Sequence, residues 1–373
     1  MTNSQQNATK TLAEQTEAFL DRMLESTAGA FNMFTINIGH RLGFYRALAE
    51  NGPATSEELA SRTGTHERYV REWLEQQTVA DILKVEDAGV SPTDRRFRLP
   101  PAQKEVLVER DSLNYLAPLA QMVVAAGRPM ESILEAYRSG GGVPYHEYGD
   151  DFREAQGDIN RVMFIKQLGA EYFPSIPDIH NRLEGDPPAR VADIGCGVGW
   201  SSIGIAQAYP RVRVDGYDLD EPSIELARRN GENAGLNGRV NFQVRDAGDP
   251  TLAGRYDLVT AFECVHDMSD PVGALHTMLK LAGENGTVVV MDERVGDVFT
   301  AGGNEVEWMM YGWSVLHCLP VGMADNPSVR TGTVMRPDTL RKYAADAGFC
   351  DVVILPIDNF FFRFYRLKTV CAV

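Results

Sequence analysis

The stretch Val191-Ala-Asp-Ile-Gly-Cys-Gly-Val-Gly-Trp200 decides how the rest of this chain is read. Its apolar run ends in Asp193-Ile194 and predicts a strand. Gly195, Gly197 and Gly199 then predict a tight turn into a helix opening near Ser201. In an open parallel sheet, a glycine-rich turn at the carboxyl edge of the first strand is where ligands bind. Small residues let the backbone approach a ligand closely, and the next helix offers free N–H groups. The spacing departs from the dinucleotide fingerprint G-x-G-x-x-G, whose sixth residue must be small. Here that place holds Trp200 and the third glycine falls one position early, so a nicotinamide dinucleotide is disfavoured.

Downstream of the turn, strand-like runs alternate with helical ones, the pattern of a parallel α/β sheet. Strands are predicted near 190–194, 212–217, 240–244, 256–262, 286–292, 351–355 and 360–367, the last two as an antiparallel hairpin around Asp358-Asn359. The second strand ends at Asp218, nineteen residues past Gly199, where a carboxylate can accept both hydroxyls of a ribose. After the third comes Arg245-Asp246-Ala247, a carboxylate able to accept from an adenine amino group. The fourth runs Tyr256-Asp-Leu-Val-Thr-Ala-Phe262 into Glu263-Cys-Val-His-Asp267.

Upstream, apolar residues at helical spacing between Thr11 and Glu50 predict two helices. The segment 53–74 reads as a capped helix, a turn at Gly64 and a second helix opening at Thr65. Residues 82–85 and 96–100 supply the two strands of a wing. Such modules often read DNA through their second helix. Residues 51–110, however, hold 9 basic and 11 acidic side chains, which favours packing on a partner subunit or covering a site. Between 111 and 185 further helices are predicted, interrupted by Ser139-Gly-Gly-Gly-Val-Pro-Tyr-His146, a loop placed to border a pocket.

With 373 residues and 44% hydrophobic content, the chain has material for two cores. A formal net charge of −16 repels polyanions, so nucleic acid and anionic membranes are disfavoured and a small-molecule substrate is favoured. Residues 1–10 lack the features of a signal peptide and no apolar run has the length of a membrane span, which predicts a cytoplasmic protein. The five cysteines are widely spaced, without a C-x-x-C pair, and are expected to be reduced.

Taken together, residues 188–373 resemble the class I S-adenosylmethionine-dependent methyltransferases. Five elements carry the likeness in order: Asp193 with its glycines, Asp218, Asp246-Ala247, the Tyr256-Asp-Leu-Val strand and the terminal hairpin. The resemblance implies a Rossmann-like seven-stranded sheet behind an N-terminal, mainly α winged-helix domain. It implies S-adenosylmethionine as cofactor, with Asp193, Gly195, Gly197, Gly199, Asp218, Asp246, Ala247 and Glu263 binding it. The expected division is 1–125 helical and winged-helix, 126–187 helical linker and pocket cover, and 188–373 methyltransferase domain. The whole chain also looks like the winged-helix small-molecule methyltransferases, which implies a homodimer formed through the N-terminal helices.

Methyl transfer from a sulfonium is an in-line displacement, needing a base only where the acceptor must lose a proton. His266, just past the fourth strand, is one candidate base, or else a residue in the turn before the helix at Ser269-Asp270-Pro271. His317 is the second, or else a core or interface histidine. A third arrangement takes His266, Asp267 and His317 as a facial triad for iron, similar to iron-containing methyltransferases that C-methylate α-keto acids. Tyr145, His146, Trp308, Tyr311 and Trp313 are expected pocket walls, or core aromatics, and Cys264 and Cys318 packing residues. The leading expectation is methylation of a hydroxyl or phenol oxygen. Iron-assisted C-methylation and an S-adenosylmethionine-sensing winged-helix regulator remain alternatives.

Overall fold

A computed structural model describes residues 11–371, so the reading of residues 1–10 falls outside it. Two compact units divide between Val124 and Ala125.

In the first unit the helix Leu12–Arg41 opens at a capping box, Thr11 and Glu14 each satisfying the other's backbone N–H. Phe44–Asn51 follows, then Ser56–Thr63, capped by Thr55 and stopped by Gly64 in the left-handed region. The next helix is Glu67–Val79, and its cap is His66 rather than Thr65. The Thr65 hydroxyl is engaged with that of Thr63 at 2.8 Å, which leaves the capping to the next side chain. Strands β1 (Lys84–Val85) and β2 (Phe97–Arg98) pair antiparallel as the wing. Tyr45, Leu59, Val70, Trp73, Leu74, Leu83 and Phe97 form the core of this unit.

The second unit is a seven-stranded sheet: β3 (Arg190–Ile194), β4 (Arg213–Asp218), β5 (Val240–Val244), β6 (Leu258–Phe262), β7 (Thr287–Glu293), β8 (Asp351–Ile354) and β9 (Phe362–Lys368). Its order is β5-β4-β3-β6-β7-β9-β8, with only β9 antiparallel to its neighbours. The central strands read as unbroken apolar runs because helices cover both faces. Val191, Leu258 and Val289 pack on one side with Phe164, Leu168 and Ile203, whereas Ala192, Val259 and Val290 pack on the other with Leu275, Met278 and Leu340. Chain order reverses between β3 and β6, so the switch point lies at their carboxyl ends.

One expectation fails. Cys350 and Cys371 are joined as a disulfide, with Cα atoms 5.1 Å apart. The register of β8 and β9 sets Asp351 opposite Lys368, which brings together the residues just beyond those strand ends. Cys196, Cys264 and Cys318 are free.

Helix Trp200–Ala208 crosses its neighbour at Gly204, where an added Cβ would lie 2.2 Å from the Phe164 carbonyl oxygen. Gly204→Ala is therefore expected to destabilise this unit by about 1–3 kcal/mol. Gly312→Ala, in open space on helix Glu305–Trp313, should instead stabilise it by about 0.5–1 kcal/mol. Urea unfolding of the two variants checks both signs.

Candidate active site

A cleft of about 630 Å³ opens at the switch point, and every residue lining it belongs to the second unit. Its floor is the turn after β3. Gly195, Gly197 and Gly199 have φ of +64°, +51° and +87°, a region that side chains disfavour. Packing adds a second reason at two of them. A Cβ on Gly195 would sit 2.6 Å from the Cys264 sulfur, and one on Gly199 2.7 Å from the Phe242 ring. Gly197 differs, since it lines the cleft with open space where a Cβ would stand.

Asp193 lies beneath this turn and does not line the cleft, contrary to its expected role in cofactor contact. Its carboxylate accepts from Ser201 Oγ at 2.6 Å, Ser202 Oγ at 2.7 Å and Thr260 Oγ1 at 2.7 Å. Burial pushes its pKa up, against those three bonds. Its chemistry is that of a clamp on β3, β6 and the following helix.

Asp218 ends β4 in the cleft wall, accepting the Gly197 N–H at 2.8 Å and the Asp220 N–H at 2.9 Å, and burial pushes its pKa up. Asp246 and Ala247 line the next part of the wall, with Asp246 exposed and turned by a 2.8 Å bond from the Gly248 N–H. Glu263, one residue beyond β6, takes φ +53°, a strained conformation for a side-chain-bearing residue. That backbone aims it into the cleft, where it accepts from the Asn160 amide and burial pushes its carboxyl up to about 8.

His266 is fully buried in a shell of carboxylates. Its Nδ1 bonds Asp292 at 2.9 and 3.1 Å and lies 3.2 Å from Glu293, while Nε2 is 3.2 Å from Asp267 Oδ1. Burial alone would lower its pKa, but Asp292, Glu293 and Asp267 outweigh that and raise it well above the ordinary value. Of this group only Asp267 reaches the cleft surface together with Glu263. His317 lies behind the wall, stacked on Phe152 at 4.2 Å and edge-on to Tyr145 and Tyr148, and burial pushes its pKa down to about 4. Its Nε2 has no hydrogen-bond partner.

His266, Asp267 and His317 do not form one compact set of donor atoms: among the described residues the groupings around His266 are Asp267 with Cys318, and Asp292 with Glu293, while His317 stacks on Phe152. Of the expected aromatic walls, Tyr145 and His146 line the cleft. Trp308 is exposed, Tyr311 bonds Arg336, and Trp313 packs near Met310, so these three do not. Cys264 lines the cleft and Cys318 is buried, and burial pushes both thiols up, away from the reactive thiolate.

Other groups were not anticipated. Arg153, itself buried, lines the cleft and binds Asp220 through Nε at 2.6 Å and Nη2 at 3.2 Å, with its guanidinium 5.7 Å from the Tyr145 ring centre. Asp220 in turn caps the helix Glu221–Asn233. Asp-x-Pro before that helix signals the cap, but nothing local to it announces an arginine 67 residues earlier. Asp292 and Glu293, an acidic pair closing an apolar strand, were visible as a signal that went unused.

Comparison with known proteins places two domains on the chain. Residues 186–317 match the model for a methyltransferase domain, and residues 30–109 that for an Rv2258c-like winged helix-turn-helix domain. Ajmaline N-methyltransferase of Rauvolfia serpentina is 27% identical over 105 residues, covering 28% of this chain and 36% of that protein. The chain thus spans about a third of the length of that relative. Among solved structures, the mitomycin 7-O-methyltransferase MmcR superposes with a TM-score of 0.70 at 19% identity over 95% of this chain and 99% of that one. Human N-acetylserotonin methyltransferase in complex with SAM gives 0.69 at 16% identity over 97% and 99%. Residues 186–317 are a methyltransferase domain, and residues 30–109 a winged helix-turn-helix domain of the Rv2258c-like kind.

Proposed function

We propose that this protein transfers the methyl group of S-adenosylmethionine to a hydroxyl or phenol oxygen of a small molecule. The observation that carries the reading is the line of groups along one cleft: the open face of Gly197, then Asp218, then Asp246 with Ala247, at the ends of consecutive strands. These fit the methionine, ribose and adenine parts of the cofactor in that order. The bound cofactor supplies an electrophilic methyl on a sulfonium. Segment 126–187 is assigned as pocket cover, since Pro144 to Asn160 contribute to the lining, with 1–125 and 188–373 as the flanking domains.

In the transfer the sulfur–methyl bond breaks as the oxygen–methyl bond forms, and the acceptor's proton must leave. Asp267 stands on the cleft wall against His266, so we assign the proton to this pair, with Asp292 holding the imidazole by Nδ1. His317, neutral and off the wall, positions Tyr145 by ring contact. The iron reading is set aside, its three ligands not being together.

A DNA-reading regulator is disfavoured by the Glu67–Val79 helix, whose Arg68 and Arg71 pair with Glu72 and Glu67 along its own surface. No described helix is long and apolar enough to cross a membrane. A cytoplasmic location is proposed on the three free thiols alone; the Cys350–Cys371 disulfide weighs against it. A homodimer is proposed because Phe19, Leu20, Met23, Leu24, Phe31 and Phe34 are more than half exposed on one 30-residue helix.

Calorimetric titration with S-adenosylhomocysteine should give micromolar binding, weakened roughly 10- to 100-fold in Asp218→Ala by the lost charged hydrogen bonds. The His266–Asp267 pair acts as base only once deprotonated, and the carboxylate shell raises the histidine, so kcat should climb with pH above about 6.5. His266→Gln should lower kcat by about 10²- to 10⁴-fold and remove that limb; an unchanged profile would reject the pair. Light scattering should report twice the chain mass, falling to the monomer in Leu20→Glu/Leu24→Glu.

A further inference from the structure

Helix Gly149–Met163 crosses the carboxyl edge of the sheet in a fixed order. Arg153, Gly157 and Asn160 stand at i, i+4 and i+7 on one of its faces, and all three line the cleft. Each meets the segment that leaves a different strand. Arg153 binds Asp220, two residues beyond β4. Gly157 rests on the glycine turn after β3, where an added Cβ would lie 2.3 Å from Val198 Cγ2. The Asn160 amide donates to Glu263, the residue after β6. Since β4, β3 and β6 are neighbours in the sheet, the helix is a bar laid across three successive strand ends.

Two of these fastenings reach a carboxylate of the cleft. Arg153 is buried and every nitrogen of its guanidinium is engaged: Nε and Nη2 on Asp220 at 2.6 and 3.2 Å, and Nη1 on Asp150 of its own helix at 2.6 Å. It is therefore a tie between elements, with its donors already spent inside the protein. Asp220 carries that tie onward, because its backbone N–H donates to Asp218 Oδ1 at 2.9 Å. The second carboxylate, Glu263, sits at φ +53°, and a strained backbone of this kind persists only where its surroundings hold it. Asn160 supplies such a hold from the same helix.

We propose that Arg153 and Asn160 are positioning residues for the cofactor. Arg153 sets Asp218 by way of Asp220, and Asn160 sets Glu263, so the cover helix and the bound cofactor are held by the same two carboxylates. This rests on the methyltransferase reading above and deepens it. Loosening the helix then weakens cofactor binding even though Asp218 and Glu263 are both still present.

Two double-mutant cycles test this, each read as the Kd of S-adenosylhomocysteine for the full-length protein. Arg153→Met should raise Kd about tenfold in the otherwise unchanged chain, and by less than about twofold when Asp218 is already alanine, because the group it acts through is gone. Arg153→Lys should recover part of the loss by keeping a positive charge on Asp220. Asn160→Ala should raise Kd about fivefold, keep that effect in Asp218→Ala and lose it in Glu263→Ala. Should Arg153→Met fail to fold, Asp220→Asn removes the same ion pair while retaining a helix cap, and is read in the same cycle. A merely structural role would multiply Kd by the same factor in every background, and that result overturns the proposal. Unchanged affinity in either single variant overturns it too. Failure of the unaltered protein to bind S-adenosylhomocysteine would instead remove the methyltransferase reading beneath it.

Discussion

The site depends on one buried carboxylate. Asp193 sits where β3 becomes the glycine turn, and its oxygens take hydroxyl bonds from the helix after the turn and from β6. A carboxylate in such a place is tolerable only when its lone pairs are filled, and an unfilled one would cost several kcal/mol. The arrangement therefore ties three elements to one point. It sets the direction in which the turn leaves the sheet, and with it the places of Gly197 and Asp218. Gly195 and Gly199 serve the same end by allowing Cys264 and Phe242 to close against the turn.

Beyond that anchor, the parallel pairing of β6 with β7 assembles the acidic corner of the cleft. Phe262 lies beside Met291, so the residues leaving the ends of the two strands, Glu263 to Asp267 and Asp292 to Glu293, share one pocket. Four carboxylates then surround a single imidazole. Such a group cannot hold all its charges apart from protons, and burial drives Glu263 and Glu293 upward while the shell drives His266 upward too. The result is a cluster of shared protons touching the cleft through Asp267 and Glu263, able to take up a further proton only after losing one of its own.

Opposite that corner, glycine is used for close approach. Gly142 lets the loop before Tyr145 rest directly on the segment after Pro320, and Gly204 lets helix Trp200–Ala208 rest on the backbone at Phe164. Both contacts join parts of the chain far apart in sequence. They explain why the region 126–187 contributes to the cleft although its own sequence shows only helices and a breaker-rich loop.

The sequence by itself determined the local features. All seven strands of the large sheet lie within about two residues of their predicted places, because apolar runs and turn residues act over a few positions. The winged-helix unit was legible for the same reason, apart from the shift of one cap from Thr65 to His66. Gly197, Asp218 and Asp246 were legible as cleft residues because each stands at the end of its own strand. Only the tertiary structure decided the rest. Whether Asp193 faces a ligand or the core depends on Thr260, and whether His266 is bare or shelled depends on β7. Where His317 packs depends on stacking against Phe152, and the pairing of Cys350 with Cys371 on the register of a hairpin. Each of these is a contact between residues more than twenty positions apart, set by strand pairing and packing that no local pattern encodes.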